Sequence, residues 1–121
     1  VTLPRSKDEI LLLHNPRCSK SRATLALLEE RGAAFETRRY LETPLDAEEL
    51  IDLGRRLGKP ILEWTRQKEA AFKDAGLSKD SSEEAVRAAM VEEPILMERP
   101  IVIRGNRAVI GRPPEDVLAL L

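Results

Sequence analysis

Ile10-Leu-Leu-Leu13, followed by His14-Asn15-Pro16-Arg17-Cys18-Ser19-Lys20-Ser21-Arg22, is the stretch from which the fold is read. An apolar run this short, closed by an Asn-Pro turn signal, suits a buried strand and is too short for a helix. From Ser19 to Arg31 the apolar residues Ala23, Leu25, Ala26 and Leu28 take helical spacing, and Gly32 follows as a stop. Phe35 to Leu41 reads as a second strand, exposed on one face. A strand–helix–strand opening implies two parallel strands joined by a right-handed crossover.

At the far end, Ile101-Val-Ile-Arg104, Gly105-Asn106 and Arg107-Ala-Val-Ile110 read as a hairpin around a tight Gly-Asn turn. Gly111 breaks the second hairpin strand, and Pro113 and Pro114 start a last helix through Val117 and Leu120. Between these ends the chain reads as helical. Asp46, with Glu49 three residues on, caps a helix holding Leu50, Ile51, Leu53 and Leu57 and ending at Gly58. Pro60 to Ala75 reads as one or two short helices stopped by Gly76, and Ser81 or Ser82 caps another that runs to about Glu93, before Pro94. This order predicts an α/β fold: a mixed four-stranded sheet with helices on its faces, the thioredoxin-like arrangement, carrying a helical insertion from about Asp46 to Glu93. Residues 1–8 are polar and read as a loose leader to a single domain spanning 1–121.

Composition narrows the function. With 121 residues, 42% of them hydrophobic, the chain suits one domain, which buries roughly two-thirds of its unfolded surface. Lys and Arg number 20 against 21 Asp and Glu, so a global basic field for nucleic acid is excluded. No apolar stretch approaches the ~18 residues of a membrane span. Leu11 to Leu13 stops at His14, too short for a secretory h-region, and the expected compartment is the cytoplasm. One cysteine, Cys18, and one histidine, His14, exclude an intrachain disulfide and a Cys/His zinc site, so no metal is expected. Any redox work by Cys18 needs a partner thiol from another molecule, because Ser21 stands where a Cys-x-x-Cys spacing would place the second cysteine.

Cys18 lies at a strand-to-helix junction, where backbone N–H groups and the helix dipole favour a thiolate. A free cysteine is often a buried structural residue, but a loop containing Arg17, Lys20 and Arg22 fits a core poorly. Ile10 to Leu28 contains those cations and no acid; Arg99 to Pro114 contains Arg99, Arg104, Arg107 and Arg112 and again no acid. In a thioredoxin-like fold the loop before the hairpin lies beside the cysteine loop, so the two windows converge. Arginine forks suit tetrahedral oxyanions. Arg99 and Arg112 each adjoin a proline at a strand boundary and are the preferred anion ligands, whereas Arg104 and Arg107 read as solvated hairpin residues. Arg99-Pro100 is a candidate cis bond. His14 is either a satisfied core histidine or a polarising partner of the thiol. Asn15, Ser19, Ser21, Arg22 and Pro100 support the loop, and Trp64 and Met97 are packing residues.

Taken together these residues resemble the glutaredoxin-dependent arsenate reductase family. The resemblance runs from Leu12 to Leu121 and rests on His-Asn-Pro-Arg-Cys-Ser-Lys-Ser-Arg at 14–22, Tyr-Leu-Glu-Thr-Pro at 40–44, Arg-Gln-Lys-Glu at 66–69, Glu-Arg-Pro-Ile-Val at 98–102 and Gly-Arg-Pro-Pro-Glu at 111–115. It implies Cys18 as nucleophile, His14 near the thiolate, and Arg66, Arg99 and Arg112 as oxyanion ligands. Arg66 comes from the resemblance alone. It further implies reduction of arsenate, or a similar oxyanion, to arsenite with no bound cofactor, glutathione as co-substrate and glutaredoxin clearing the mixed disulfide. Two other readings stay open: a glutathione-dependent thiol oxidoreductase of the same family without an arsenate role, and an Spx-like regulator that binds RNA polymerase. Ser21 argues against the Cys-x-x-Cys switch often found in the latter.

Overall fold

Strand β1 (Ile10–Leu13) is buried along its whole length because it sits inside the sheet. In the computed structural model, which describes residues 1–121, the sheet order is β2-β1-β3-β4. β2 (Glu36–Arg38) runs parallel to β1, pairing Leu11 with Glu36 and Leu13 with Arg38. β3 (Ile101–Arg104) runs antiparallel on the other side of β1, with Leu13 opposite Ile101. β4 (Arg107–Ile110) closes the hairpin, with Ile101 opposite Ile110. The two inner strands carry apolar residues on both faces, which is why they read as unbroken apolar runs rather than as alternation.

Helix α1 (Ser19–Glu30) is the crossover between β1 and β2. On its side of the sheet, Ile10, Leu12, Leu28, Val102, Val117 and Leu120 form one buried cluster, with Leu25, Phe35 and Val109 packed against it. Val117 and Leu120 come from a closing 3-10 helix, Pro114–Leu120. The sequence predicts an ordinary helix there, and prolines at 113 and 114 are compatible with either. Residues of β1 and β3 on the opposite face, Leu11, Leu13, Ile101 and Ile103, are also buried.

The chain divides into two compact units: Val1–Thr43 with Arg99–Leu121, and Pro44–Glu98. In the second, α2 (Ala47–Leu57) begins with the expected capping box, Asp46 accepting the Glu49 N–H at 2.8 Å and Glu49 accepting the Asp46 N–H at 3.2 Å. It ends at Gly58, which takes the left-handed conformation (φ 67°). A 3-10 turn at Ile61–Trp64 and α3 (Ala70–Asp74) follow. Ser82, not Ser81, caps α4 (Glu83–Glu92). Leu53, Trp64, Val86, Met90 and Leu96 form this unit's buried side. These helices fall inside the expected insertion, but a further 3-10 turn at Pro94–Leu96 lies beyond it, and the unit itself runs from Pro44 to Glu98. None of the helices is long and apolar enough to cross a membrane.

Three expectations need correction. The second strand is three residues long, not Phe35 to Leu41. Past Arg38 the chain turns, with the Glu42 and Thr43 N–H groups both bonded to the Arg39 carbonyl, so no ladder continues. Residues 1–8 form no helix or strand, yet they are fastened: Leu3 is buried, and Asp8 pairs with Arg104 at 3.1 Å. Gly105 lies so close to Lys7 that a Cβ there would stand 2.6 Å from the Lys7 carbonyl oxygen. Arg104 is accordingly not a solvated hairpin residue, since it also donates to the Leu120 carbonyl at 2.8 Å.

Candidate active site

The cysteine loop joins the C-terminal end of β1 to α1. Asn15 folds it: the Cys18 N–H donates to the Asn15 carbonyl at 3.0 Å, and the Arg17 N–H to Asn15 Oδ1 at 3.0 Å. The Arg22 guanidinium donates to the Pro16 carbonyl at 2.9 Å and braces the loop from the helix side. Ser19 opens α1 and is exposed.

Beneath the loop, Ser21 is fully buried. Its hydroxyl oxygen accepts the Asn15 N–H at 3.0 Å and lies 2.7 Å from His14 Nδ1. A serine hydroxyl accepts up to two hydrogen bonds and donates one, so the 2.7 Å contact closes in either tautomer: Nδ1 accepts the O–H when the ring proton is on Nε2, and donates to Oγ when it is on Nδ1. Burial, and then the charges of Arg39 and Arg22, hold His14 below its usual pKa, so the ring is neutral at neutral pH. His14 is thus a buried histidine satisfied by Ser21, one residue past β1, and its ring is tied to the loop that carries the thiol.

Cys18 occupies the N-cap position of α1 and is half-buried. Burial pushes its thiol up, but the backbone N–H groups of Ser21 and Lys20 and the charges of Arg99 and Arg112 outweigh it, leaving the pKa below the ordinary value. Those amides favour the thiolate without closing a formal cap hydrogen bond.

Arg99 and Arg112 come from the β3 and β4 ends of the sheet. Both precede prolines in cis peptides, Arg99-Pro100 and Arg112-Pro113; the sequence points to the first, and the second went unforeseen. The two segments are laced together: the Gly111 N–H donates to the Pro100 carbonyl at 2.9 Å and Arg112 Nε to the Arg99 carbonyl at 2.8 Å. A Cβ on Gly111 would stand 2.8 Å from Pro100 Cγ and 2.9 Å from Thr24 Oγ1. Only glycine lets this strand end settle onto α1. Sequence reading takes Gly111 as a strand breaker and misses this close approach, which has no local signature.

Of the residues singled out from the sequence, Cys18, His14, Asn15, Ser19, Ser21, Arg22, Arg99, Pro100 and Arg112 all belong to the sheet-bearing unit. Arg66 belongs to the other unit, where it pairs with Glu69 at 2.9 Å and donates to the Ile95 carbonyl at 3.4 Å. Arg39, whose charge acts on His14, was not foreseen. Its signal is the Arg38-Arg39 pair at the end of a strand parallel to β1, visible only once the register is known.

The ArsC family model matches residues 13–120. An uncharacterized protein of Escherichia coli, YfgD, is 52% identical over 115 residues, spanning 93% of this chain and 97% of its own. An arsenate reductase of Neisseria meningitidis is 45% identical over 115 residues, spanning 93% of this chain and 98% of its own. The solved structure of an arsenate reductase from Vibrio cholerae superposes with a TM-score of 0.90 at 45% identity, covering 96% of this chain and 100% of that one. With the thioredoxin-like sheet, the cysteine loop and this match over nearly the whole chain, the protein belongs to the ArsC family.

Proposed function

We propose that this protein is an arsenate reductase that works through the Cys18 thiolate with glutathione and glutaredoxin as electron donors. The observation that carries the reading is the placement of a single thiol at the N-terminus of α1 under the charges of Arg99 and Arg112. The arginines gather the oxyanion and offset its charge. The resemblance adds Arg66 as a third anion ligand. The Cys18 thiolate attacks arsenic and displaces one oxygen, which leaves as water after protonation. Glutathione sulfur then attacks Cys18 Sγ. A sulfur–sulfur bond forms, the sulfur–arsenic bond breaks, and its electron pair stays on arsenic, which departs as arsenite. Two thiols are oxidised to one disulfide and arsenic is reduced from five- to three-valent. Glutaredoxin thiolate attacks the glutathione sulfur of the mixed disulfide and Cys18 leaves as thiolate, a step favoured by its low pKa. Neutral His14 orients the loop through Ser21. Use of reduced glutathione agrees with the cytoplasm as the expected compartment.

The test is arsenite formation with purified protein, arsenate, glutathione and glutaredoxin. Turnover that needs all three additions and vanishes in Cys18→Ser supports the reading. Reduction of glutathione mixed disulfides with no arsenite formed would assign the protein as a thiol oxidoreductase instead.

A further inference from the structure

We propose that Arg22 and Arg39 form a second anion site beside the cysteine loop, one that takes the carboxylates of the thiol reductant while Arg99 and Arg112 hold the oxyanion. The inference rests on the reading of Cys18 as the reactive thiol.

The sheet register separates Arg39 from Arg99 and Arg112, and Arg22 reaches the loop from α1. β1 delivers the cysteine loop from its C-terminal end. On one flank, β2 is parallel to β1, and Leu13 lies opposite Arg38, so Arg39 emerges at the same end of the sheet. The His14 N–H donates to the Arg38 carbonyl at 2.9 Å, which fixes the start of the loop against that strand end. On the other flank, Leu13 lies opposite Ile101 and Ile101 opposite Ile110, so Arg99 and Arg112 emerge there too. The cysteine loop stands between them. The electrostatics sort the same way, Arg39 and Arg22 acting on His14 and Arg99 and Arg112 on Cys18.

Arg22 and Arg39 are both exposed. Arg39 has only a loose surface pairing with Glu42, at 3.8 Å, of the kind worth little in water. Arg22 is steadied by its bond to the Pro16 carbonyl, which holds the guanidinium at the loop instead of letting it wander. Neither arginine is needed to satisfy a buried carboxylate. Two exposed guanidinium groups whose charges both act on His14, at the start of the loop that carries the thiol, suit a ligand whose own sulfur must approach that thiol and whose charge is negative. The exchange step requires the oxyanion, still bonded to Cys18, and the incoming thiol to be present together. Two anions need two sets of cations. A carboxylate-bearing thiol on the β2 flank would meet Cys18 Sγ without displacing the oxyanion from the β3–β4 flank.

The experiment isolates this step from arsenic chemistry. Cys18 is converted to its neutral pyridyl disulfide with 2,2′-dithiodipyridine, and release of pyridine-2-thione is followed on adding glutathione, glutathione diethyl ester or 2-mercaptoethanol. In each case the added thiolate attacks Cys18 Sγ and pyridine-2-thione leaves. For Arg39→Gln the rate constant with glutathione should fall about tenfold, the worth of one charge-assisted bond, and that with the diethyl ester should stay unchanged. Arg22→Gln should act in the same direction, and the double variant should bring glutathione down to the ester's rate. Equal slowing of glutathione and its ester, or no slowing of either, overturns the proposal. Because no arsenate is present, a failure to reduce arsenate and a failure of this site are read separately.

Discussion

Gly111→Ala is the substitution whose consequence the geometry sets most directly. The new Cβ would stand 2.8 Å from Pro100 Cγ, 2.9 Å from Thr24 Oγ1 and 3.3 Å from Val117 Cγ1. Moving from 2.8 Å to an ordinary 3.4 Å requires the β4 end to retreat by about 0.6 Å, and the proline ring cannot bend away. Overpacking of this kind costs about 1–3 kcal/mol. For a chain of this length each kcal/mol lowers Tm by roughly 3–5 °C, so thermal unfolding should move down by roughly 3–15 °C. The retreat also stretches the bonds from the Gly111 N–H to Pro100 and from Arg112 Nε to Arg99. Arsenate KM should therefore rise. The control is Gly32→Ala, where a Cβ meets nothing within 4 Å and only the positive φ of 69° is paid for, a cost of about 1–2 kcal/mol with no change in KM. Calorimetry and steady-state kinetics on both variants decide it. If Gly111→Ala unfolds within a degree of the parent, or if Gly32→Ala raises KM as much, the close approach does not position Arg112.

Thr24 Oγ1 is buried with no hydrogen-bond partner, so Thr24→Val should be neutral or stabilising by up to about 1 kcal/mol in denaturant unfolding; a clear loss would mean that the hydroxyl is engaged. The alkylation rate of Cys18 against pH should show a midpoint below the ~8.5 of a free thiol, and Arg112→Gln should move it upward, because that charge is one of those favouring the thiolate; an unmoved midpoint would remove Arg112 from the thiol's environment. His14 has a folded pKa below its unfolded value near 6.5, so its contribution to stability is full above about pH 6.5 and is lost as pH falls toward the folded value. Ser21→Ala leaves His14 Nδ1 and the Asn15 N–H without their shared partner and should cost about 1–3 kcal/mol at pH 7.5, measured by urea unfolding; a cost under a few tenths would contradict the network drawn here.

The sheet was legible because its inner strands are apolar on both faces and its turns carry strong local chemistry. Ile10 to Leu13 and Ile101 to Ile103 look like strands in isolation, Gly105-Asn106 looks like a turn, and Asp46 with Glu49 forms the capping box that its spacing implies. The second strand was overread because an edge strand is ended by a turn, here at Arg39 to Thr43, and not by any change in β propensity. Arg104 was misassigned for a related reason. Its partners, Asp8 and the Leu120 carbonyl, are remote in sequence, and no local pattern announces a contact of that kind. In the site, Cys18, Arg99 and Arg112 could be selected from position alone, since a loop cysteine and proline-flanked arginines in acid-free windows are local features. Arg39 and Gly111 depend on strand register and on a packing distance, which exist only after folding.

The Ser21 hydroxyl stands where a resolving thiol would otherwise be. In a Cys-x-x-Cys arrangement the second position supplies the resolving thiol and closes an internal disulfide. Here that position is fully buried and holds a hydroxyl that bridges the Asn15 N–H and His14 Nδ1. A thiol is a weaker hydrogen-bond partner and has a longer bond to Cβ, so a cysteine at this site would loosen the start of the loop while adding a sulfur sealed from solvent. A serine at the same site gives up internal resolution and gains a fixed loop, with a neutral His14 clamped beneath it. Once the loop is fixed, the helix N-terminus and the arginines on its β3–β4 flank act on one sulfur at a defined place. In the proposed mechanism the oxidised state of that sulfur is relieved from outside, which is what makes the proposed reductant site on the β2 flank chemically useful.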